Sequence, residues 1–165
     1  MSNTLPLDYE RVFRVMNEHG VEYLLIGGLN YYLLHRPVST QDIDLFIRDE
    51  GENCRRCELA LAALDAQWGH NDGDWGPVYS KTSGWLRTQG VYCLLTAAGL
   101  VDIFRSLAGV ESFITAFAES IEVKISSDTV VRLISPRDLL ACQMAIPEYA
   151  RRQDRVKHLR EILKL

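Results

Sequence analysis

Three observations predict an α/β fold: a small mixed β-sheet with helices against it, followed by C-terminal helices. Short apolar runs of strand length recur at Val21–Ile26, Asp42–Ile47, Val91–Thr96 and Leu100–Phe104. Segments with apolar residues at helical spacing lie between them, and two more follow Ser135. Strands alternating with helical patterns are the mark of a layered α/β architecture.

Each element has a local reason. From Leu7 to His19, Val12, Phe13 and Met16 recur at helical spacing, and Gly20 suits the C-cap. Val21–Ile26 is an apolar run fit for a buried strand, and Leu29–His35 is a short helix in which Tyr31 and Tyr32 serve packing. Arg36-Pro37 ends that helix, because a residue before proline disfavours the helical region. Asp42–Ile47 is the second strand, and the Leu- and Ala-rich stretch Glu52–Gln67 is a helix packed on the sheet.

The stretch 68–90 is the least regular, with several glycines, Trp75 and Trp85. Long loops of this kind are uncommon and often functional. Asn71, Asp72 and Asp74 lack the full spacing of a calcium loop, and Lys81, Ser83 and Arg87 are better placed to contact a ligand. Val91–Thr96 and Leu100–Phe104 are two further strands, and Ser112–Ala118 is a short helix. Glu119–Ile125 and Thr129–Ile134 then read as a hairpin about Ser126-Ser127-Asp128. Ser135-Pro136-Arg137-Asp138 combines a cap, a first-turn proline and an acid, so a helix is expected from there to about Ala145. A last amphipathic helix spans about Arg151–Leu163.

The chemistry-bearing feature lies at the second strand. Asp42 and Asp44 are two apart on it, so both point to one face, while Ile43, Leu45 and Ile47 point into a core. Adjacent carboxylates raise each other's pKa unless a cation shares them. Mg²⁺ takes hard oxygen ligands, commonly one or two carboxylates plus substrate phosphates. Gly27-Gly28, after the first strand, permits close backbone approach, and the helix that follows offers unpaired N–H groups to a phosphate. Neither a Gly-Gly pair nor an Asp-x-Asp is specific alone. Their order, glycines after one apolar strand and acids on the next with a helix between, is.

Gly27-Gly28, Thr40 and Asp42-Ile43-Asp44 resemble the signature of the DNA polymerase β-like nucleotidyltransferase superfamily. The small bacterial stand-alone members of toxin–antitoxin and abortive-infection systems are closest in style. Asn-Glu-His-Gly-Val-Glu-Tyr before the first strand, Val101-Asp102-Ile103-Phe104, Leu133–Leu140 and Arg151–Asp154 extend the likeness over most of the chain. The resemblance implies a nucleotidyltransferase fold with Asp42, Asp44 and Asp102 as catalytic metal ligands, two Mg²⁺ ions, and an NTP, ATP by default, as substrate. Gly27, Gly28, Ser39, Thr40, Arg36 and Lys81 are the corresponding nucleotide-binding candidates. Asp102 is also the general-base candidate, and His35 is a helix-end residue close to the phosphate position. The expected reaction moves a nucleoside monophosphate to a hydroxyl of a protein, a tRNA or a small molecule, with release of pyrophosphate.

Four departures stand against this pattern. Val38 and Asn30 replace a more usual basic and small apolar residue, and Gln143 and Gln153 stand where such proteins often show lysine. Val38, Asn30 and Gln143 motivate an alternative: a weakly active or inactive antitoxin or regulatory module with a toxin or antitoxin protein as partner. An aminoglycoside-type enzyme, with the 68–90 loop and the C-terminal helices around an acceptor, is a third reading.

Bulk properties fit these expectations. The 165 residues suggest one domain over 1–165, with a core of about 7–134 and C-terminal helices from about 135. A hydrophobic share of 47% and a charged share of 24% are those of a globular protein, and a net charge of −4 argues against a general nucleic-acid coat. The basic residues from Arg151 to Lys164 alternate with acids and read as a solvated helix face. No apolar run reaches membrane-spanning length and no signal-peptide core is visible, so a cytoplasmic location is expected. Cys54, Cys57, Cys93 and Cys142 read as ordinary thiols, the Cys54-x-x-Cys57 pair lying within a helical stretch without further ligands.

Overall fold

The computed structural model describes residues 7–165; the first six residues of the expected 1–165 domain lie outside the described ones. Among the described residues, eight strands form one mixed sheet: β1 (Tyr23–Ile26), β2 (Asp42–Ile47), β3 (Gln67–Trp68), β4 (Gly76–Pro77), β5 (Val91–Thr96), β6 (Gly99–Phe104), β7 (Ile121–Lys124) and β8 (Val130–Leu133). Their order is β4-β3-β5-β6-β2-β1-β8-β7. The β2–β6 and β1–β8 pairs are parallel and the others antiparallel. Helices α1 (Tyr9–Glu18), α2 (Gly27–Leu34), α3 (Gly51–Ala63), α4 (Phe113–Ala118), α5 (Pro136–Met144) and α6 (Gln153–Leu163) complete the fold. None of the described helices is long and apolar enough to cross a membrane.

The two faces of the sheet follow from strand alternation. Ile43, Leu45, Ile47, Leu25, Tyr92, Leu94, Val101 and Ile103 pack with Val12, Phe13 and Met16 of α1 and Cys54, Cys57 and Leu61 of α3 in one core. Leu24, Ile26 and Phe46 on the opposite face pack with Phe113 of α4, Leu139 and Leu140 of α5, and Val156 and Leu159 of α6. The C-terminal helices thus lie across the central strands.

Helix α5 starts as its sequence dictates: the Ser135 hydroxyl accepts from Asp138 N at 3.1 Å, and Pro136 occupies the first turn. Helix α3 ends earlier than expected. Asp65 takes a left-handed conformation (φ 54°), and the chain passes into β3, whose Trp68 continues the run of buried apolar residues. The 68–90 stretch is anchored rather than loose. Buried Glu58 of α3 accepts from Gly84 N (3.0 Å) and Leu86 N (3.3 Å), and the Tyr92 hydroxyl accepts from Thr88 N and Gln89 N, both at 2.9 Å. Trp68 stacks on Trp85 there and Tyr92 meets both at steeper angles, with ring centroids 5.0–5.6 Å apart.

Asn30 explains one departure from the usual pattern. It is fully buried, and its amide donates to Leu25 O (2.8 Å) and Ile134 O (3.1 Å), joining the ends of β1 and β8. An apolar side chain would leave those carbonyls without this donor.

Candidate active site

The parallel pairing of β2 with β6 brings the three aspartates together. Asp44 and Asp102 are partners across the ladder, and Asp42 lies two residues back on the same face of β2. One carboxylate oxygen from each of Asp42, Asp44 and Asp102 lies within 4.8 Å of the others. Burial, then the charges of Asp42 and Asp102, push the Asp44 carboxyl up to about 7. Burial and the charge of Asp42 also raise Asp102, against the opposing effect of hydrogen bonds from the Cys93 thiol and from Asp44. Cys93 is the partner of Asp102 on β5, and its thiol is itself pushed up by burial and by that carboxylate. Without a cation, the cluster therefore holds a proton near neutral pH.

Gly27 closes the site from the β1 side. It opens α2 with φ +72°, and a β-carbon there would overlap Asp44 Oδ2. Only glycine combines that conformation with that approach. Ile26, the residue before α2, makes no side-chain cap, so the first N–H groups of the helix are left to other partners. A β-carbon on Gly28 would lie 3.2 Å from Thr40 Oγ1 and 3.7 Å from Arg155 Nη1. Thr40 Oγ1 donates to the Asp42 carbonyl at 3.2 Å, a local bond at the start of β2.

Arg155 of α6 is the residue that sequence reading missed. Its guanidinium carbon stands 5.4 Å above the Tyr31 ring, beside Gly28, and its charge acts to lower the Asp44 pKa. The basic residues of α6 read as a solvated face because acids alternate with them. The helical period held the missing signal: Val156 and Leu159 form the buried stripe, and Arg155 flanks it on the side of Tyr31. Gln143 lines a small cavity with Gly27, Tyr31 and Arg155, and its side-chain oxygen accepts from Arg152 N at 2.8 Å.

The other candidates are placed less centrally. Ser39 and Arg36 are exposed on the connection after α2. Lys81 pairs with Asp74 (3.2 Å), donates to the Asp74 carbonyl and stands 5.6 Å from the Trp68 ring centroid, so its ammonium is engaged within the 68–90 segment. His35 packs against Tyr31 and His158, with ring centroids 5.2 and 5.3 Å away. Cys54 and Cys57 are buried in the core.

The donor set fits hard divalent cations. Three carboxylates converge, and burial beside one another raises the proton affinity of Asp44 and Asp102, an arrangement that a shared cation relieves. The glycine turn lets the Asp44 carboxylate close on the backbone, which sets that carboxylate beside the uncapped N-terminus of α2.

No family model matches the chain, and no curated protein matches it in sequence. Solved structures do. ANT(2″)-Ia in complex with adenylyl-2″-tobramycin is similar over 94% of this chain and 87% of its own, with a TM-score of 0.58 and 13% identity. A Thermotoga maritima protein provisionally named a nucleotidyltransferase is similar over 94% of this chain and 92% of its own, with a TM-score of 0.50 and 17% identity. The architecture is the nucleotidyltransferase fold.

Proposed function

We propose that the protein is a nucleotidyltransferase that moves a nucleoside monophosphate from an NTP, with ATP and Mg²⁺ as the expected donor and cation, to a hydroxyl. The observation that carries this reading is the convergence of Asp42, Asp44 and Asp102 beside the Gly27 cradle, with Arg155 over the same turn. The likeness to ANT(2″)-Ia, whose structure holds an adenylylated product, supports it.

Asp42 and Asp44 would hold the cation that carries the triphosphate, and all three aspartates the one beside the acceptor. When bound, the cations neutralise phosphate charge and lower the pKa of the attacking hydroxyl. Gly27 and Gly28 present backbone N–H groups, and Arg155 sets a guanidinium toward the phosphates, a role that Gln143 leaves open. Thr40, beside Gly28, would offer its hydroxyl to the same phosphates. Asp102, on the far side of Asp44 from the turn, is the carboxylate placed to take the hydroxyl proton. Ser39 and Arg36 stand as secondary nucleotide contacts, whereas Lys81 would have to leave Asp74 to join them.

The test is thermal stability with each NTP, with and without Mg²⁺, in the wild type and in Asp42→Ala with Asp44→Ala. A ligand at about a hundred times its dissociation constant adds roughly 2.7 kcal/mol, which raises Tm by several degrees at about 2–4 °C per kcal/mol. A cation-dependent rise lost in the double variant supports the reading. With no rise for any nucleotide, the regulatory module with a toxin or antitoxin partner takes its place.

A further inference from the structure

The two edges of the sheet differ in what they can accept. At one end β4 is two residues long and finishes in Pro77, which has no N–H to offer a neighbouring strand. At the other end β7 pairs, among the described residues, with β8 on one side only. Ile121, Glu122 and Lys124 of this four-residue strand are exposed.

Ladder alternation fixes which backbone groups point outward. Ile125 N donates to Thr129 O at 2.8 Å, so Ile125, Val123 and Ile121 form the hydrogen-bonded pairs with β8. The N–H and C=O groups of Glu122 and Lys124 therefore face away from the sheet. The side chains divide in the same way. Val123 and Ile125 pack against the core that α1 and α3 cover, and Ile121 shares their face. Glu122 and Lys124 lie on the opposite face, where Arg132 of β8 approaches Glu122 at 4.0 Å and stands over the Phe117 ring. Lys124 lies across from Val130 and makes no ion pair among the described residues.

We propose that β7 is a dimerisation edge, to which a second copy of this chain adds its own β7 antiparallel about a two-fold axis at Val123. In that register Glu122 exchanges both backbone hydrogen bonds with Lys124 of the second copy, and the symmetry repeats the exchange. Their side chains stand directly opposite with opposite charge, the arrangement that stabilises cross-strand pairs. On the other face Ile121 meets Ile125 of the second copy and Val123 meets its own equivalent, so the apolar row runs on across the axis. Ser120 falls opposite Ser126 and Glu119 opposite Ser127, so no like charges meet.

No other register does this. Sliding by two residues sets Glu122 against Glu122 or Lys124 against Lys124, and sliding by one turns every side chain to the wrong face. Charges on an edge strand deter foreign strands, and here a second copy neutralises them. The edge is short, so the contact lies at the small end of protein interfaces and the dimer forms in the micromolar range. Strand β7 is separated from β2, which carries Asp42 and Asp44, by β8 and β1, so the inference stands apart from the catalytic reading.

The experiment is sedimentation velocity over about 1–500 µM protein, joined to hydrogen exchange of the edge amides. The expected result is a monomer–dimer equilibrium in which the Glu122 and Lys124 amides gain protection as the dimer forms. Glu122→Lys and Lys124→Glu each set like charges opposite one another and should weaken the dimer about tenfold or more. The exchanged variant Glu122→Lys/Lys124→Glu should regain it. So should an equimolar mixture of the two single variants, a recovery that misfolded chains would not show. A monomer throughout the range overturns the proposal. So does a dimer whose affinity the single variants leave unchanged, one that neither the exchange nor the mixture regains, or one whose edge amides exchange as fast as in the monomer.

Discussion

Gly27 and Asp44 lie so close that no β-carbon fits between the glycine backbone and the carboxylate, and Gly27 holds φ +72° besides. Gly27→Ala therefore meets two costs, left-handed strain of about 1–2 kcal/mol and displacement of a metal-binding carboxylate. Tm should fall by several degrees, and the Mg²⁺-dependent shift with nucleotide should vanish. Gly28→Ala meets nothing closer than Thr40 Oγ1 at 3.2 Å, without a positive φ, and should keep more of both. Equal loss in the two variants, read by calorimetry, would contradict the cradle.

Asp44 makes stability depend on pH, with a definite sign. Burial and two neighbouring carboxylates raise it to about 7 in the fold, against about 3.9 in the unfolded chain. Between those values the folded state holds a proton that the unfolded state has lost, so stability falls as pH rises toward 7. His35 acts oppositely, since burial and His158 lower its pKa and stability is lost as pH falls. The difference between wild type and Asp44→Asn isolates the carboxyl. In metal-free protein, Asp44→Asn should raise Tm by about 2–4 °C or more at pH 8 and leave it nearly unchanged at pH 4. Since the cation displaces that proton, its affinity should rise about tenfold per pH unit up to 7 and then level. Manganese titration by electron paramagnetic resonance reads this directly.

Much of the site is written locally and part of it is not. Asp42 and Asp44 are legible because a period of two fixes their common face, whereas Asp102 is singled out only by the third acid that the family resemblance calls for on a later strand. The pairing of Asp44 with Asp102 is tertiary, since it depends on β6 lying parallel to β2. The short strands β3 and β4 escaped reading for a related reason. Two residues carry no periodicity, and this stretch is organised by Glu58, whose carboxylate caps the backbone of Gly84 and Leu86 from another element. Arg155 was hidden because charge alternation outweighed the buried stripe beside it.

Arg155 gives a prediction about nucleotide affinity. Its guanidinium stacks over Tyr31 and faces the glycine turn, so it is held in place before any phosphate arrives. Removing a charge-assisted hydrogen bond costs about 1.5–3 kcal/mol. Arg155→Ala should weaken the nucleotide by roughly tenfold to a hundredfold in isothermal titration, with the fold intact. Arg155→Lys keeps the charge without the planar fork and should recover only part. An unchanged dissociation constant in Arg155→Ala would place the phosphate elsewhere.

Asn30 should separate stability from function. Its side chain is fully buried and its amide donates to Leu25 O and Ile134 O, fastening β1 to β8 directly behind the glycine turn. Asn30→Leu, close in size, leaves the Ile134 carbonyl without that donor. Leu25 O still accepts from Ile134 N at 3.1 Å. The Ile134 carbonyl losing its partner costs about 1–3 kcal/mol, offset in part by removal of the buried and unpartnered Asn30 Oδ1, so Tm should drop by a few degrees at about 2–4 °C per kcal/mol. Because Asn30 touches none of the carboxylates, the Mg²⁺-dependent nucleotide shift measured from the new baseline should match the wild type. A stable Asn30→Leu that no longer responds to nucleotide would instead make Asn30 part of the ligand site.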